Sequence, residues 1–357
     1  MGHLWLREET KPHERRTPLL PEHAAALVRS GHTVVVESSR TRIAPDAEFA
    51  AAGCQLVPSG TWVDAPIEYF ILGLKELPTA DFPLRHQHIY YAHCYKGQQH
   101  SRQVLQRFQA GGGTLLDSEY LTDDGGVALT VGRIGWLSGF VGAAVALAFY
   151  FDKARGRPLA LTEPYFADRE SLVSRVLGSA RESDPNPSVV VIGHRGNSGS
   201  GAVELCRKIG IEPVGWGRKE TASTDAPATL SRFDVAVNCI QAAAAGPPFL
   251  REQDLSAGSR LSILVDVTCD VGSPAHRFPL YSQITTIDKP VITVGPHDAP
   301  VDVIAIDHLT TLLPAEASRL IAEPLFLQLQ GLLAGPVPEP PPWRNTRQKF
   351  LEAVRDV

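Results

Sequence analysis

The chain has 357 residues, enough for about two domains. Its 34 Lys and Arg against 39 Asp and Glu leave a net charge of −5, which gives no electrostatic basis for binding nucleic acid or an anionic membrane surface. It is 43% apolar, so a sizeable core is expected, and its five scattered cysteines (Cys54, Cys94, Cys206, Cys239, Cys269) do not read as a disulfide framework. Met1 to Lys11 is charged and lacks an apolar core, so a secretory leader is not expected and the setting is read as reducing and cytoplasmic.

In chain order, PEHAAALVRSG (Pro21–Gly31) has helical periodicity and a glycine stop, and HTVVVE (His32–Glu37), IEYFILGL (Ile67–Leu74) and IYYAH (Ile89–His93) are β-branched or aromatic runs of strand length. Ile134–Phe151 is an uncharged run just short of the roughly 20 residues that span a bilayer. Glycines interrupt it, and Arg133 and Asp152 bound it, so it reads as a buried core helix and no membrane is expected. Its small residues Gly139, Gly142, Ala143 and Ala146 would let another backbone come close. Arg155–Pro187 is polar and punctuated by proline. A second strand series then runs through SVVVIG (Ser188–Gly193), EPVGW (Glu212–Trp216), FDVAVNCI (Phe233–Ile240), LSILVDV (Leu261–Val267) and VITVG (Val291–Gly295). An amphipathic helix, Glu316–Leu333, precedes the proline-rich Pro336–Trp343. Continuous apolar strands alternating with helices imply two α/β units with parallel sheets. The C-terminal helix is expected to return to the first unit, giving a discontinuous domain of 1–131 plus 314–357 and a second of 132–313.

GHRGNSGSG follows directly on the strand VVVIG. Gly193, Gly196 and Gly199 are spaced to let a pyrophosphate approach the backbone, with a helix opening at about Ser200 to offer free N–H donors. The spacing departs from the usual dinucleotide fingerprint, but the strand before and the helix after supply its context. The acid expected at the end of the next strand is missing: Gly217 stands there, followed by Arg218 and Lys219. An arginine suits a 2′-phosphate, so NADP(H) is favoured. The alternative is that Glu220 or another group serves the ribose of NAD.

RHQHIYYAHCYK (Arg85–Lys96) gathers His86, His88, His93 and Cys94. Strand alternation puts His86 and His88 on one face and His93 on the other, so no metal site is expected. His93, at the carboxyl end of its strand, is better placed for proton transfer. Lys75 ends another apolar strand, where it would either be partly desolvated and so a usable base, or be an ordinary surface lysine whose stem lies along apolar surface. Arg16 would either clamp a substrate carboxylate or stand as a solvated charge.

The motifs ETKPHERR, GLKELP, AHCYKGQ, DSEYL, VDVTCD and IDHLTTLLPAEAS occur in the order found in lysine-forming saccharopine dehydrogenases, and the chain resembles that family over about residues 4 to 350. Alanine dehydrogenase and the transhydrogenase nucleotide-binding subunit share its fold. The resemblance implies two Rossmann-like domains with an active-site cleft between them. It also implies oxidation at a CH–NH bond: saccharopine is cleaved to lysine and 2-oxoglutarate with NAD, or an amino acid and a keto acid are condensed reductively. By the same resemblance Lys75 and His93 are the acid–base residues, Arg16 and Gln98 bind substrate, and Lys96 and Glu119 lie in motifs lining the cleft. Gly196, Asn197, Gly217, Thr221, Val267, Thr268, Asp270 and the run Ile306, Asp307, His308 and Leu309 fall on dinucleotide-contacting positions.

The chain departs from the family at Gly217, where an Asp is expected, at Ser198 in place of a cysteine, and around Leu129–Thr130. There a pair of arginines is missing and Arg133 is the nearest substitute. These departures point towards NADP and a different amine–keto acid pair. An ammonia-using amino acid dehydrogenase and an inactive nucleotide sensor are the alternatives. Small-molecule substrates and a monomer or small homo-oligomer are expected.

Overall fold

The apolar runs become strands wherever they can be covered on both faces. The computed structural model describes residues 1–95, 101–162, 164–180, 186–240, 246–273, 275–335, 339–355 and 357. These divide into two units, Met1–Gly132 with Pro314–Val357, and Arg133–Leu313.

The first unit carries β1 (His3–Leu6), β2 (Thr33–Glu37), β3 (Gln55–Val57), β4 (Phe70–Leu72), β5 (Gln87–Tyr90) and β6 (Thr114–Asp117). They pair in parallel in the order β3-β2-β1-β4-β5-β6. Side chains alternate across the sheet. Leu4, Leu6, Val34, Val36 and Leu72 pack on one face with Leu325, Leu329 and Leu333 of the helix Pro314–Ala334 and with Trp343. Trp5, Val35, Ile71 and Tyr90 pack on the other with Phe108 and Phe350. The strand order reverses between β1 and β4, so the loops leaving those strands part and open a crevice at their carboxyl ends.

The second unit carries β7 (Val189–Ile192), β8 (Val214–Trp216), β9 (Val235–Asn238), β10 (Ile263–Asp266), β11 (Ile292–Val294) and β12 (Val301–Ile304), in the order β11-β12-β10-β9-β7-β8. Its reversal lies between β7 and β9. The helix Gly132–Lys153 is long and apolar enough to cross a membrane, but most of it is buried within the protein. A Cβ on Gly139 would stand 1.8 Å from the Ser198 carbonyl oxygen, and one on Gly201 would stand 2.0 Å from that of Trp136. Two helix backbones therefore touch, through glycines.

β3 and β6 of the first unit were not among the strands expected from the sequence, and three further elements differ from that expectation. β11 is antiparallel to β12, which was not expected as a strand. The two form a hairpin turned at Gly295 (φ 88°), and a hairpin needs no crossover helix. The proline-rich segment opens a helix, Pro341–Arg355, because proline is compatible with a first helical turn, where its missing N–H is not needed. The polar segment 155–187 contains the helix Arg169–Ala180.

Candidate active site

The crevice of the first unit collects charge. Where β1 ends, the chain REETKPHERR turns across the exit of β4, bringing Arg7, Glu9, Glu14 and Arg16 beside Lys75. Arg16 is buried and its guanidinium holds Glu14 by two bonds, Nε to Oε1 at 2.7 Å and Nη2 to Oε2 at 2.5 Å. It is therefore not the solvated charge that was one alternative. Burial alone would raise the Glu14 carboxyl, but Arg16 and Lys75 outweigh it and hold the group below its ordinary value. Lys75 is only 7% exposed, more enclosed than a partly desolvated lysine. Glu76 is held down likewise, against burial, by Lys75, Lys11 and His93.

β5 ends at Tyr90, and His93 lies beyond it with a left-handed backbone (φ 49°), so strand alternation does not set its direction. Such a conformation costs a non-glycine residue about 1 kcal/mol or more and is held by its surroundings. Its Nδ1 is 3.4 Å from Glu119 Oε2, and its side chain is 40% exposed. Glu119 sits in the short turn after β6, where its N–H donates to Asp117 Oδ1 at 2.9 Å. Burial pushes the Asp117 carboxyl up to about 7, reinforced by the Glu119 carboxylate and opposed by the Glu119 N–H and His93. Lys75, His93, Arg16 and Glu119 thus belong to one unit and one sheet edge. Lys96 and Gln98 lie outside the described residues. His86 Nε2 meets the Ala65 carbonyl at 2.8 Å. His88 is fully buried between Trp62 and Phe108, and burial holds it well below its usual value, as befits a neutral core residue. Among the described residues no group of three His, Cys, Asp or Glu is placed to hold a metal ion.

The second unit holds the glycine loop. Gly193 has φ 82°, and a Cβ on Gly199 would stand 2.1 Å from the Gly193 carbonyl oxygen, so both positions require glycine. The helix runs Asn197–Lys208 with Gly196 as its extended N-cap, three residues ahead of the expected Ser200. The start of a helix is where backbone N–H groups and the helix dipole favour an anion, so this end of the loop suits a phosphate. At the exit of β8, Thr221 donates to the Gly217 carbonyl (3.0 Å), and Gly217 N–H donates to Glu220 Oε2 (2.7 Å), which helps to hold that carboxyl low. Arg218 is exposed. At the exit of β10, Asp266 takes the Asn238 amide at 3.0 Å, the Thr268 hydroxyl at 2.8 Å and the Tyr281 hydroxyl at 2.8 Å, which shapes the loop carrying Val267, Thr268 and Asp270. Beyond β12, Ile306 and Leu309 are buried, and His308 Nδ1 meets Asp307 at 2.6 Å. Arg133 stands exposed in the first turn of the long helix of this unit.

Arg7, Glu9, Glu14, Asp117 and Asp266 were not singled out from sequence. The only signal for the first three was an unusual density of alternating acid and base directly after a strand.

A family model described as alanine dehydrogenase/PNT, N-terminal domain, matches residues 5–131. The chain is 42% identical to the saccharopine dehydrogenase (NAD+, L-lysine-forming) of Emericella nidulans, over 98% of this chain and 97% of that one. It is 40% identical to the protein of the same name from Neurospora crassa (98% and 96% covered) and 37% identical to that of Schizosaccharomyces pombe (99% and 99%). Among solved structures it resembles an L-alanine dehydrogenase with a TM-score of 0.73 at 16% identity, covering 98% of this chain and 99% of that one. A transhydrogenase from Sinorhizobium meliloti follows at 0.64 and 16%, with 93% and 94% covered. At such identities these two likenesses speak for the fold.

Proposed function

We propose the following reaction for this chain, which belongs to the lysine-forming saccharopine dehydrogenase family: oxidation or formation of the CH–NH bond of a secondary amine that joins an amino acid to the carbon skeleton of a 2-keto acid. It is a nicotinamide-dependent oxidoreductase. The observation that carries the reading is the pairing of Lys75 and His93, which follow the adjacent parallel strands β4 and β5 beside the crevice where strand order reverses.

The loop from Gly193 to Gly199 fits a dinucleotide, since glycine at 199 lets the helix start close against the turn at Gly193 and turns the helix N-terminus into a ready anion site for a diphosphate. A dinucleotide held there would supply the nicotinamide with which the substrate carbon exchanges hydride. The chain's own residues handle the protons. Lys75, enclosed and facing Glu14 and Glu76, takes the proton of the secondary amine. His93, reached by solvent and set against Glu119, activates the water that opens the imine. Arg16 supplies charge for a substrate carboxylate, its plane fixed by Glu14.

The finer choice of cofactor is NADP(H), supported by Gly217 in place of an acid and by the exposed Arg218 beside it. Glu220, already seated on the Gly217 N–H, supports a second reading in which its carboxylate takes the ribose of NAD. The relatives above are named as NAD+ enzymes. Comparing kcat/KM for NADPH and NADH decides between them, and a clear preference for NADH defeats the first. The free cysteines support a cytoplasmic setting.

The test is oxidation of reduced dinucleotide with 2-oxoglutarate, pyruvate or glyoxylate, each paired with single amino acids and with ammonia alone. Turnover with a secondary-amine pair, cut about 100-fold or more by Lys75→Met, is expected. Turnover with ammonia alone would reassign the chain to amino acid dehydrogenation. Dinucleotide binding with no turnover on any pair would leave a sensor.

A further inference from the structure

We propose that Arg7 and Glu9 form a buried positioning pair that fixes the main chain of Lys75 from both sides and so sets where its amine stands. This rests on the reading of Lys75 as a proton carrier.

Arg7 directly follows β1 and extends its ladder by one bond, from its N–H to the Leu72 carbonyl at 2.9 Å. It is 2% exposed. Its Nη2 donates to the carbonyl of Lys75, and its Nη1 donates to the Glu8 carbonyl at 3.2 Å and lies 3.3 Å from Glu9 Oε1. Glu9 completes the grip. Its Oε1 accepts the Leu74 N–H at 2.7 Å, and its Oε2 accepts the Lys75 N–H at 2.9 Å.

These bonds close groups that the sheet cannot. β1 and β4 part at this point, so the residues leaving β4 have no neighbouring strand exit on the β1 side to bond with, and buried N–H and C=O groups left open are costly. A carboxylate and a guanidinium supply one acceptor pair and one donor with no net charge between them. Gly73 is part of the same device. A Cβ there would lie 2.3 Å from Arg7 Nε and 2.5 Å from its Nη2, so only glycine lets the guanidinium cross β4 to reach the Lys75 carbonyl. The Tyr90 ring backs the guanidinium, with its centroid 5.6 Å away. Burial raises the Glu9 carboxyl against the pull of Arg7, which makes the pair mutually dependent.

A lysine side chain has four rotatable bonds, so its Cα must be fixed if Nζ is to meet a substrate nitrogen within a fraction of an ångström. A displacement of about 1 Å at a reacting group costs about 100-fold in rate. The pair touches both the N–H and the carbonyl of residue 75, so its loss acts on that position first.

The experiment compares Glu9→Gln and Arg7→Lys with the parent and with Lys75→Met in the full chain. Each variant is first checked by circular dichroism and by dinucleotide affinity, which resides in the other unit. Expected are a kcat lowered about 10- to 100-fold, a dinucleotide Kd within about twofold, and a displaced limb in the pH profile of kcat. Combining Glu9→Gln with Lys75→Met should cost no more than Lys75→Met alone, because the pair acts only through that lysine. Parental kcat and pH profile in both folded variants would overturn the inference, and so would additive losses in the double variant. If Glu9→Gln does not fold, Arg7→Lys and its combination with Lys75→Met carry the test. Should Lys75→Met itself retain full turnover, the fault lies with the reading of Lys75. Should it be inactive while Glu9→Gln is not, the positioning role alone fails.

Discussion

Replacing Asp117 with asparagine probes the electrostatics of the catalytic edge. The carboxyl is fully buried and accepts the Glu119 N–H through Oδ1 at 2.9 Å, with the Ala92 backbone also favouring its ionised form, yet burial outweighs both. Burial lifts its pKa to about 7, against about 3.9 in an unfolded chain. Between these values the folded protein holds a proton that the unfolded chain releases, so the stability this group contributes is complete below about pH 4 and is lost as pH rises towards 7. At about 1.4 kcal/mol per unit, the two units from pH 5 to 7 amount to about 3 kcal/mol. Asparagine keeps the Oδ1 acceptor and cannot ionise. The stability of Asp117→Asn relative to the parent should therefore climb by about 2–3 kcal/mol between pH 5 and pH 8, as read from urea unfolding at a series of pH values. Parallel curves for the two proteins across that range would refute the argument and mean that Asp117 is charged in the fold.

Gly199→Ala drives a methyl into the Gly193 carbonyl and should weaken dinucleotide binding at least about tenfold in a fluorescence titration, and an unchanged Kd would remove the loop from the site. Arg218→Ala should raise the Kd of NADPH about tenfold and that of NADH by no more than about twofold, as expected for loss of a charge-assisted phosphate contact. Trp343→Ala empties a fully buried site and frees the Gln328 carbonyl that the indole N–H now meets at 2.9 Å. A loss of about 3–5 kcal/mol is expected in calorimetry, and a loss below about 1 kcal/mol would mean that the C-terminal helix is dispensable to the first unit's core.

The alternation of strands and helices was legible because each buried parallel strand is a continuous apolar run, and VVVIG, VAVN and ILVD cannot easily be anything else. The glycine loop was legible for a related reason, since its spacing records how closely atoms must approach. β12 was harder, for VDVIAI runs straight into a loop that draws attention as a binding segment, and nothing local states that β11 pairs with it antiparallel. The helix from Pro341 was hidden behind prolines that its first turn tolerates. Within the site, His93 was picked out by its place at a strand end, whereas Lys75 could equally have been a surface lysine until the family resemblance singled it out. Their supporting charges stayed hidden, because the contact of Glu9 with Lys75 and that of Glu119 with His93 depend on which strands become neighbours. That information belongs to the topology and has no local signature. His93 further escaped the rule of alternation by leaving its strand before the side chain is set.

The first unit is interrupted after Gly132 and resumes at Pro314. Its six strands are all made early, yet the face of Leu4, Leu6, Val34, Val36 and Leu72, covered in part by Ala24, Leu27 and Phe49, is completed only by Leu325, Leu329, Leu333 and Trp343. On a ribosome adding about 5–20 residues per second, that apolar face waits roughly ten to forty seconds while the intervening unit is synthesised. The part begun first is therefore the last to close, and until the final two helices emerge it is a natural client for a chaperone.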